Sequence, residues 1–205
     1  MSTMSHTTEE SVGLRERKKR ATRLSLQAAA VELIREHGPD SVTVEDICAQ
    51  AEVSPRTFFN YFTCKEEVLA PWSREALERI PEAIAQRPAE ERPPTAAHRV
   101  FDVLLDHTMR SEIWREQIML LREHPVLAYR TMSNTRALEL CLAEGLGRRT
   151  GLGEEDTYVK LVAATAMAAL RVTIQSWQES PDDTDPRTLL ENNFARIESG
   201  LRSPD

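Results

Sequence analysis

The stretch that decides the fold, residues 43–65, reads TVEDICAQAEVSPRTFFNYFTCK. Thr43 predicts the start of a first short helix, because its hydroxyl can accept a hydrogen bond from an otherwise unpaired backbone N–H. Asp46, three residues on, is a shorter variant of the usual capping-box partner. Ile47 and Ala51 then recur four residues apart, which is the spacing of one helix face. The first half of the stretch therefore predicts a short helix, and only a tight turn fits between it and the next cap.

A second helix is predicted from Pro55 to about Phe62. Ser54 is a preferred N-cap residue, and Pro55 takes the first helical position, where its missing N–H costs nothing. Phe58 and Phe62 lie four residues apart and can anchor the helix to a core, which leaves polar side chains on its open face. Two short helices joined by such a turn form a helix-turn-helix, whose second helix can enter a DNA major groove.

These residues and their neighbours resemble the DNA-binding domain of the tetracycline-repressor (TetR) family of bacterial regulators, over about residues 14–69. The sequence departs from the family at Glu52, where Gly is usual in the turn, and at Cys64, where Ser or Asn usually caps the next helix. We expect Glu52 to strain the turn slightly, and Thr63 with Glu66 to supply a substitute capping box. The positions that match are Thr22, Leu26, Ala30, Ile34, His37, Gly38, Thr43, Val44, Ile47, Ala51, Val53, Ser54, Thr57, Phe58, Tyr61, Phe62, Lys65, Glu66 and Glu67.

Polar residues on the second helix are the candidates for DNA contact. Arg56, Thr57 and Asn60 are predicted to meet base edges, and Tyr61 and Lys65 to meet phosphates. Phe59 occupies the place where the family often has a DNA-contacting Tyr, so it is expected to touch only a thymine methyl or a sugar. The full predicted DNA-binding set is Lys18, Arg23, Thr43, Ser54, Arg56, Thr57, Phe59, Asn60, Tyr61 and Lys65.

The charge distribution is uneven along the chain. The net charge is −7, yet residues 12–65 carry nine Lys and Arg against seven Asp and Glu, a balance of +2. Six of those nine basic residues lie between Arg15 and Arg23, in RERKKRATR. Because DNA affinity depends on local neutralisation of phosphates, this run is predicted to contact phosphate; the alternative is a solvated helix face.

Composition predicts an all-α fold and a cytoplasmic protein. The 205 residues include 40% hydrophobic and 29% charged residues and only seven glycines, which suits an ordered, helix-rich chain. Three unpatterned cysteines favour neither a disulfide framework nor a zinc site. No apolar run reaches the roughly 18 residues that a membrane span needs, and the N-terminus is polar and unlike a signal peptide, so no membrane is expected. A Gly-rich phosphate loop, a metal-spaced His cluster and a nucleophile elbow are also missing from the sequence, so we expect neither an enzyme nor a cofactor.

Three parts are predicted along the chain: a flexible tail at residues 1–13, the helix-turn-helix domain at 14–64, and a helical ligand-binding and dimerisation domain at 65–203. Within the third part, the proline-rich loop 87–94 separates the first helices from the rest. Long helices are expected at 126–149, 154–179 and 187–201.

A ligand pocket is predicted among the helices between Thr95 and Trp177. They carry apolar, aromatic and Met side chains that can line an irregular cavity, although each alone is also consistent with ordinary core. Arg122 and Arg171 stand in apolar surroundings, and a buried Arg needs either an internal carboxylate or an anionic ligand head group. The predicted ligand-binding set is Phe101, Leu105, Trp114, Ile118, Arg122, Tyr129, Met132, Met167 and Arg171.

Further expectations follow from the resemblance. The C-terminal part resembles the ligand domain of regulators related to the mycofactocin-system repressor, which implies an acyl-CoA-like ligand. The family dimerises through its last two long helices, which implies a homodimer; the alternative is a helix buried within one subunit. The predicted interface is Ala166, Leu170, Ile174, Trp177, Leu190, Phe194, Ile197 and Leu201.

The sequence thus predicts a ligand-responsive, sequence-specific transcriptional regulator with no catalytic residues. Its expected partners are a double-stranded DNA operator, a small effector and a second copy of the chain. The favoured mode is a repressor released from a palindromic operator by a small apolar or acyl-CoA-like molecule. The first alternative is an activator of the same fold. The second alternative is a helical ligand-binding protein or an enzyme whose helix-turn-helix no longer binds DNA.

Overall fold

A computed structural model describes residues 5–111, 113–130, 132–180 and 184–201, and the side-chain surroundings of these except at 5–14, 16, 128–130 and 132–134. The described residues form helices joined by turns, without a strand, which confirms the all-α fold. In chain order the α-helices are α1 Ser5–His37, α2 Val44–Gln50, α3 Pro55–Phe59, α4 Arg74–Glu78, α5 Ile80–Ala85, α6 Pro93–Met109, α7 Trp114–Glu123, α8 Pro125–Arg130, α9 Met132–Thr150, α10 Thr157–Gln178 and α11 Pro186–Glu198, with a 3-10 turn at Glu66–Leu69.

The chain divides into two compact units. Unit 1 comprises Met1–Ala70 and Arg115–Thr131, and unit 2 comprises Pro71–Trp114 and Met132–Asp205. The core of unit 1 is built on the apolar face of α1 and the inner faces of α2 and α3, and Leu120 and Leu127 join it from α7 and α8. Gln27, buried in this unit, donates from Nε2 to the carbonyl of Ala70 at 3.1 Å and so pairs a polar group inside the core.

Unit 2 is a bundle in which α9 packs on α5, α10 packs on α9 and α11, and α6 packs on α11. The α5–α9 approach depends on Gly145, since a Cβ at this position would lie 2.8 Å from the Cα of Pro81 and 3.0 Å from the Cβ of Ile84. One side of α10 supplies much of the core of unit 2, through Val159, Val162, Ala163, Ala166, Ala169, Leu170, Thr173 and Trp177.

Helix α10 is also long and apolar enough to cross a membrane by length and composition, with a mean hydropathy of 1.3 over its best 18-residue window. A helix whose inner face is this well buried in its own unit has the character of a core helix.

Several helix boundaries differ from those expected. Helix α1 begins at Ser5 instead of Leu14, and α3 ends at Phe59 instead of about Phe62. Residues 71–86, whose sequence has a helical period, form two separate helices, α4 and α5, because Pro81 has no N–H to donate to the preceding turn. The long helix expected over 126–149 is described as α8 and α9, and residue 131 between them lies outside the described residues.

Candidate nucleic-acid interface and effector region

The helix-turn-helix is held by two side-chain caps. At the start of α2, the backbone N–H of Thr43 donates to Oδ2 of Asp46 at 2.9 Å, and the N–H of Asp46 donates back to Oγ1 of Thr43 at 3.1 Å. The Thr43 hydroxyl, and after it the Thr43 N–H, lower the pKa of Asp46, so this capping box keeps its carboxylate ionised. At the start of α3, Oγ of Ser54 accepts from the N–H of Thr57 at 3.2 Å. Both predicted N-caps are therefore present, and they fix where α2 and α3 begin.

The turn between the two helices contains a strained residue. Glu52 has φ of +53°, in the left-handed region where a side chain normally costs energy. The following N–H, of Val53, donates to the carbonyl of Cys48 at 3.0 Å and closes the turn. The turn needs a left-handed residue at the position where Gly was expected, and that is the physical basis of the predicted strain.

Helix α3 presents one aromatic face to the core and a mixed face to solvent. Phe58 and Phe62 are 0% and 1% exposed, whereas Phe59 is 57% exposed and meets Phe58 edge-on, with ring centroids 5.4 Å apart. Arg56 and Asn60 lie exposed beside Phe59. Thr57 and Tyr61 are half-buried, and the Thr57 hydroxyl lies 2.9 Å from that of Ser54. The exposed face thus combines a cation, an amide and an aromatic ring, which suits contact with base edges and sugars.

The predicted phosphate-binding cations fall into two groups. Lys18 is exposed on α1 together with Arg15, Arg17 and Arg20. Arg23 instead lies over the ring of Phe62, 4.6 Å from its centroid, and Lys65 donates from Nζ to the carbonyls of Pro39 and Val42 at 2.7 Å each.

These contacts give Arg23 and Lys65 structural roles that their positions in the sequence do not reveal. Lys65 closes the turn between α1 and α2, and Arg23 packs α1 onto the end of the helix-turn-helix. The substitute capping box also differs from the expected one. The N–H and hydroxyl of Thr63 both donate to Oε2 of Glu67, the latter at 2.6 Å, and not to Glu66.

The apolar members of the predicted ligand-binding set are mostly buried. In unit 2, Phe101 and Leu105 are 0% exposed and Trp114 is 3% exposed, while Met167 is half-buried. In unit 1, Ile118 is buried. The side chains of Tyr129 and Met132 lie outside the described residues.

The two arginines of that set are not buried, so the expectation of a buried Arg was wrong. Arg122 and Arg171 are both exposed. Arg171 lies on the outer side of α10 and donates to Oε1 of Gln175, one turn further on, at 3.3 Å. An apolar neighbourhood in the sequence does not bury a residue when the apolar neighbours point to the other side of the same helix.

Trp114 stacks on Trp177 inside unit 2, with ring centroids 4.6 Å apart and planes inclined at 27°. The Nε1 of Trp177 donates to the carbonyl of Thr184 at 3.0 Å. By contrast, the Nε1 of Trp114 is buried and has no hydrogen-bond partner, and the Nε2 of Gln117 on the same helix is in the same state. Gln117 was not singled out from the sequence, where nothing separates it from an exposed glutamine.

The predicted dimer interface needs a correction. Ala166, Leu170, Trp177, Leu190 and Phe194 are at most 4% exposed within the single chain, so they belong to the core of unit 2 and have no surface to bury on association. Ile174 and Ile197 are half-buried, and Leu201 is 72% exposed. The apolar residues that α10 leaves exposed are different ones, among them Tyr158, Leu161 and Val172.

Arg149 also makes hydrogen bonds to the loop before α6 that the sequence did not predict. Arg149, near the end of α9, donates to the carbonyls of Arg87 and Glu91 at 2.6 Å each. Arg87 also pairs with the Glu91 carboxylate, and this hydrogen bond is the main cause that lowers the pKa of Glu91. Nothing in the sequence marks Arg149 for this role, since its partners lie about 60 residues away.

Among the described residues, no three His, Cys, Asp or Glu side chains gather as a metal site would require.

Comparison with known proteins agrees with this geometry. A family model described as "Bacterial regulatory proteins, tetR family" matches residues 26–70, and one described as "MftR C-terminal domain" matches residues 95–202. The HTH-type transcriptional regulator TcmR of Streptomyces glaucescens is 31% identical over 199 residues, which cover 93% of this chain and 86% of that protein.

Two solved structures show the same fold. The FadR repressor of Thermus thermophilus, solved with lauroyl-CoA, is 26% identical with a TM-score of 0.53, over 89% of this chain and 96% of that one. The fatty acid degradation regulator FadR of Bacillus halodurans is 20% identical with a TM-score of 0.52, over 87% of this chain and 98% of that one. The family models and TcmR together confirm both resemblances found in the sequence. The chain belongs to the TetR family of transcriptional regulators, with an N-terminal helix-turn-helix that binds DNA and a C-terminal ligand-binding domain.

Proposed function

We propose that the protein is a cytoplasmic, homodimeric repressor that leaves a palindromic operator when a small apolar or acyl-CoA-like effector binds. The observation that carries the proposal is the exposed face of α3, where Arg56, Phe59 and Asn60 stand on a helix capped by Ser54. A capped helix with polar and aromatic side chains on its open face is what operator recognition requires.

In this proposal Arg56, Thr57 and Asn60 read base edges, and Phe59 meets a thymine methyl or a sugar. Lys18 and the exposed arginines around it contact phosphates. The hydroxyls of Thr43 and Ser54 act through the caps, which orient α3, and Tyr61 reaches phosphate from the edge of the helix. For Arg23 and Lys65 we propose a phosphate contact made in addition to their structural contacts.

The homodimer is proposed to form through the exposed side of α10. Tyr158, Leu161, Thr165, Ala168 and Val172 recur at intervals of three and four residues, and each is exposed or half-buried in the single chain. Such a stripe is what a helix presents to a partner helix at a seven-residue repeat. Two-fold symmetry would then place two α3 helices about 34–36 Å apart, one turn of DNA, and hence favour a palindromic operator.

The proposed effector enters among the buried aromatic and aliphatic side chains that include Phe101, Leu105 and Trp114. An acyl-CoA-like effector is supported by the lauroyl-CoA bound to the Thermus thermophilus relative. The exposed positions of Arg122 and Arg171 favour a neutral or largely apolar ligand over one held by a buried cation. Whatever its identity, the effector releases DNA only to the extent that it binds the conformation that cannot hold the operator more tightly than the conformation that can.

A shift assay on the DNA upstream of the protein's own gene, with and without a long-chain acyl-CoA, tests the proposal. Tight, competitor-resistant binding that acyl-CoA releases is the expected result. Binding that ignores acyl-CoA would keep the regulator and discard this effector class. If no fragment is retained even in a genome-wide selection, the DNA-binding role is excluded.

Transcription of the adjacent genes in a strain that lacks the protein distinguishes repressor from activator. Expression of a repressed gene rises in that strain, whereas expression of an activated gene falls.

A further inference from the structure

Two side chains of α1 share one backbone acceptor at the end of the helix-turn-helix unit. Nε2 of Gln27 donates to the carbonyl oxygen of Ala70 at 3.1 Å, and Nη2 of Arg23 lies 3.5 Å from the same oxygen. Gln27 and Arg23 are four residues apart in α1, so they lie on one side of that helix. All three residues belong to unit 1, and the arrangement is therefore internal to the part of the chain that binds DNA.

The backbone at Ala70 explains why side chains serve its carbonyl. Ala70 is 0% exposed and ends the 3-10 turn Glu66–Leu69 in an extended conformation, with φ of −67° and ψ of 128°. Pro71 follows, and a proline favours an extended conformation of the residue before it. A buried carbonyl that loses its donor costs stability, because it has already given up its hydrogen bonds to water.

The two donors differ in charge and in surroundings. Gln27 is neutral and only 5% exposed, and it makes the shorter bond. Arg23 is half-buried, belongs to the basic run RERKKRATR, and holds its guanidinium 4.6 Å from the centroid of the Phe62 ring. A carbonyl oxygen has two lone pairs, so both donors can be accommodated at once. With Gln27 on the shorter bond, the guanidinium lies over Phe62 instead of deeper at the carbonyl.

We propose that Gln27 is a positioning residue for DNA binding, which acts by holding the Ala70 carbonyl and so keeping the guanidinium of Arg23 over Phe62. The inference rests on the proposed function, which assigns a phosphate contact to Arg23. Without the Gln27 amide, the buried carbonyl attracts the guanidinium inward, since a hydrogen bond from a charged donor is the stronger kind. A guanidinium drawn onto the carbonyl is less available to a phosphate. Gln27 thus contributes to DNA affinity from inside the core.

The salt dependence of DNA binding separates this role from a role in the fold. The slope of log K against log salt reports the phosphates that a protein neutralises, about 0.9 for each. The full-length protein is titrated by fluorescence anisotropy with a mixed-sequence duplex of about 30 base pairs, three turns of DNA, between about 50 and 200 mM salt. This probe requires no knowledge of the operator, because phosphate contacts do not depend on base sequence.

The variants are Arg23→Met, Gln27→Leu and the two combined. Val31→Ala is the matched control, because Val31 is 2% exposed on the same helix and its truncation costs stability without removing a hydrogen-bond donor. Gln27→Met, which also lacks the amide, replaces Gln27→Leu if that variant does not fold. The thermal midpoint of each variant is measured alongside its DNA affinity.

We expect Arg23→Met to lower the salt slope by about 0.9 for each protomer bound. Its affinity should fall by about fivefold in physiological salt, which is what that slope amounts to between about 1 and 0.15 M salt. Gln27→Leu should lower the slope and the affinity in the same direction. It should change neither in the Arg23→Met background, because its effect passes through Arg23. Val31→Ala should lower the thermal midpoint and leave the slope unchanged.

An unchanged slope in Gln27→Leu, or an equal loss of affinity with and without Arg23, would overturn the proposal and leave Gln27 a role in the fold alone. An unchanged slope in Arg23→Met would refute the phosphate contact of Arg23, and this inference with it, while the binding of the wild-type protein keeps the regulator. A wild-type protein that does not bind the duplex at about 50 mM salt would contradict the proposed function itself.

Discussion

At residue 52 a glutamate takes a backbone conformation that suits glycine. A left-handed φ costs a residue with a Cβ about 1–2 kcal/mol, and part of any gain from glycine is lost to its greater freedom in the unfolded chain. We therefore expect Glu52→Gly to raise the free energy of unfolding by about 0.5–1 kcal/mol. Urea denaturation measures the change. Glu52→Ala is the matched control, because it removes the same charge but keeps the Cβ; an equal gain in both variants would assign the effect to charge.

Arg56 is the side chain on α3 best suited to read a guanine, since it is exposed and its guanidinium can donate two parallel hydrogen bonds. Arg56→Ala is expected to weaken specific operator binding by about 1–3 kcal/mol and to relax specificity at one base pair. Fluorescence anisotropy with the operator and with single-base variants measures both effects. Arg99→Ala removes the same charge from an exposed position on α6 and should change little. An equal loss on specific and random DNA would make Arg56 a phosphate contact instead.

At the scale of the elements, the contact of α5 with α9 depends on one absent methyl group. A Cβ on Gly145 would lie 2.8 Å from the Pro81 Cα and 2.9 Å from its carbonyl oxygen, both backbone atoms that cannot rotate away. We expect Gly145→Ala to destabilise the protein by about 1–3 kcal/mol, despite the better helix propensity of alanine. The thermal midpoint of unfolding measures this. Gly153→Ala is the control, since its Cβ would meet nothing within 4 Å; equal midpoints for the two variants would mean that α5 and α9 separate easily.

Among these elements, the sequence predicted those whose boundaries are determined by residues close to them in the chain. Thr43, Ser54 and Pro55 determine where helices start through atoms within three residues of them. Both short helices of the helix-turn-helix, α2 and α3, could therefore be placed from the sequence. The covered side of α10 could not, because apolar residues occur all round it and periodicity alone does not say which side meets the core. One signal was available: Lys160, Arg171 and Gln175 share a side of the helix and are all exposed.

The same limit applies to the candidate sites. Buried donors such as Trp114 and Gln117 are recognised only when the acceptors around them are known, and these come from distant parts of the chain. Lys65 was expected at a phosphate because a lysine beside a reading helix is most simply a DNA contact. Its two carbonyl acceptors, at Pro39 and Val42, lie 26 and 23 residues away in the sequence.

For the whole molecule, the proposed dimer through the exposed stripe of α10 predicts that a single side chain on this stripe controls association. Leu161 is 63% exposed in the single chain, so a change there leaves the core of unit 2 intact. Leu161→Glu would bury two like charges near the two-fold axis of the proposed dimer, and we expect dimerisation to weaken by about 2 kcal/mol or more, roughly thirtyfold. Sedimentation velocity across a dilution series measures this change.

Operator affinity should fall together with dimerisation, because each monomer brings only one reading helix to a two-part site. Leu140→Glu is the matched control: this leucine is 51% exposed on α9, away from the stripe, and its replacement adds the same charge. Trp177→Ala, by contrast, should lower the thermal midpoint, because Trp177 packs against Trp114 inside unit 2. A Leu161→Glu protein that remains dimeric when diluted, while Leu140→Glu dissociates, would move the interface from α10 to α9.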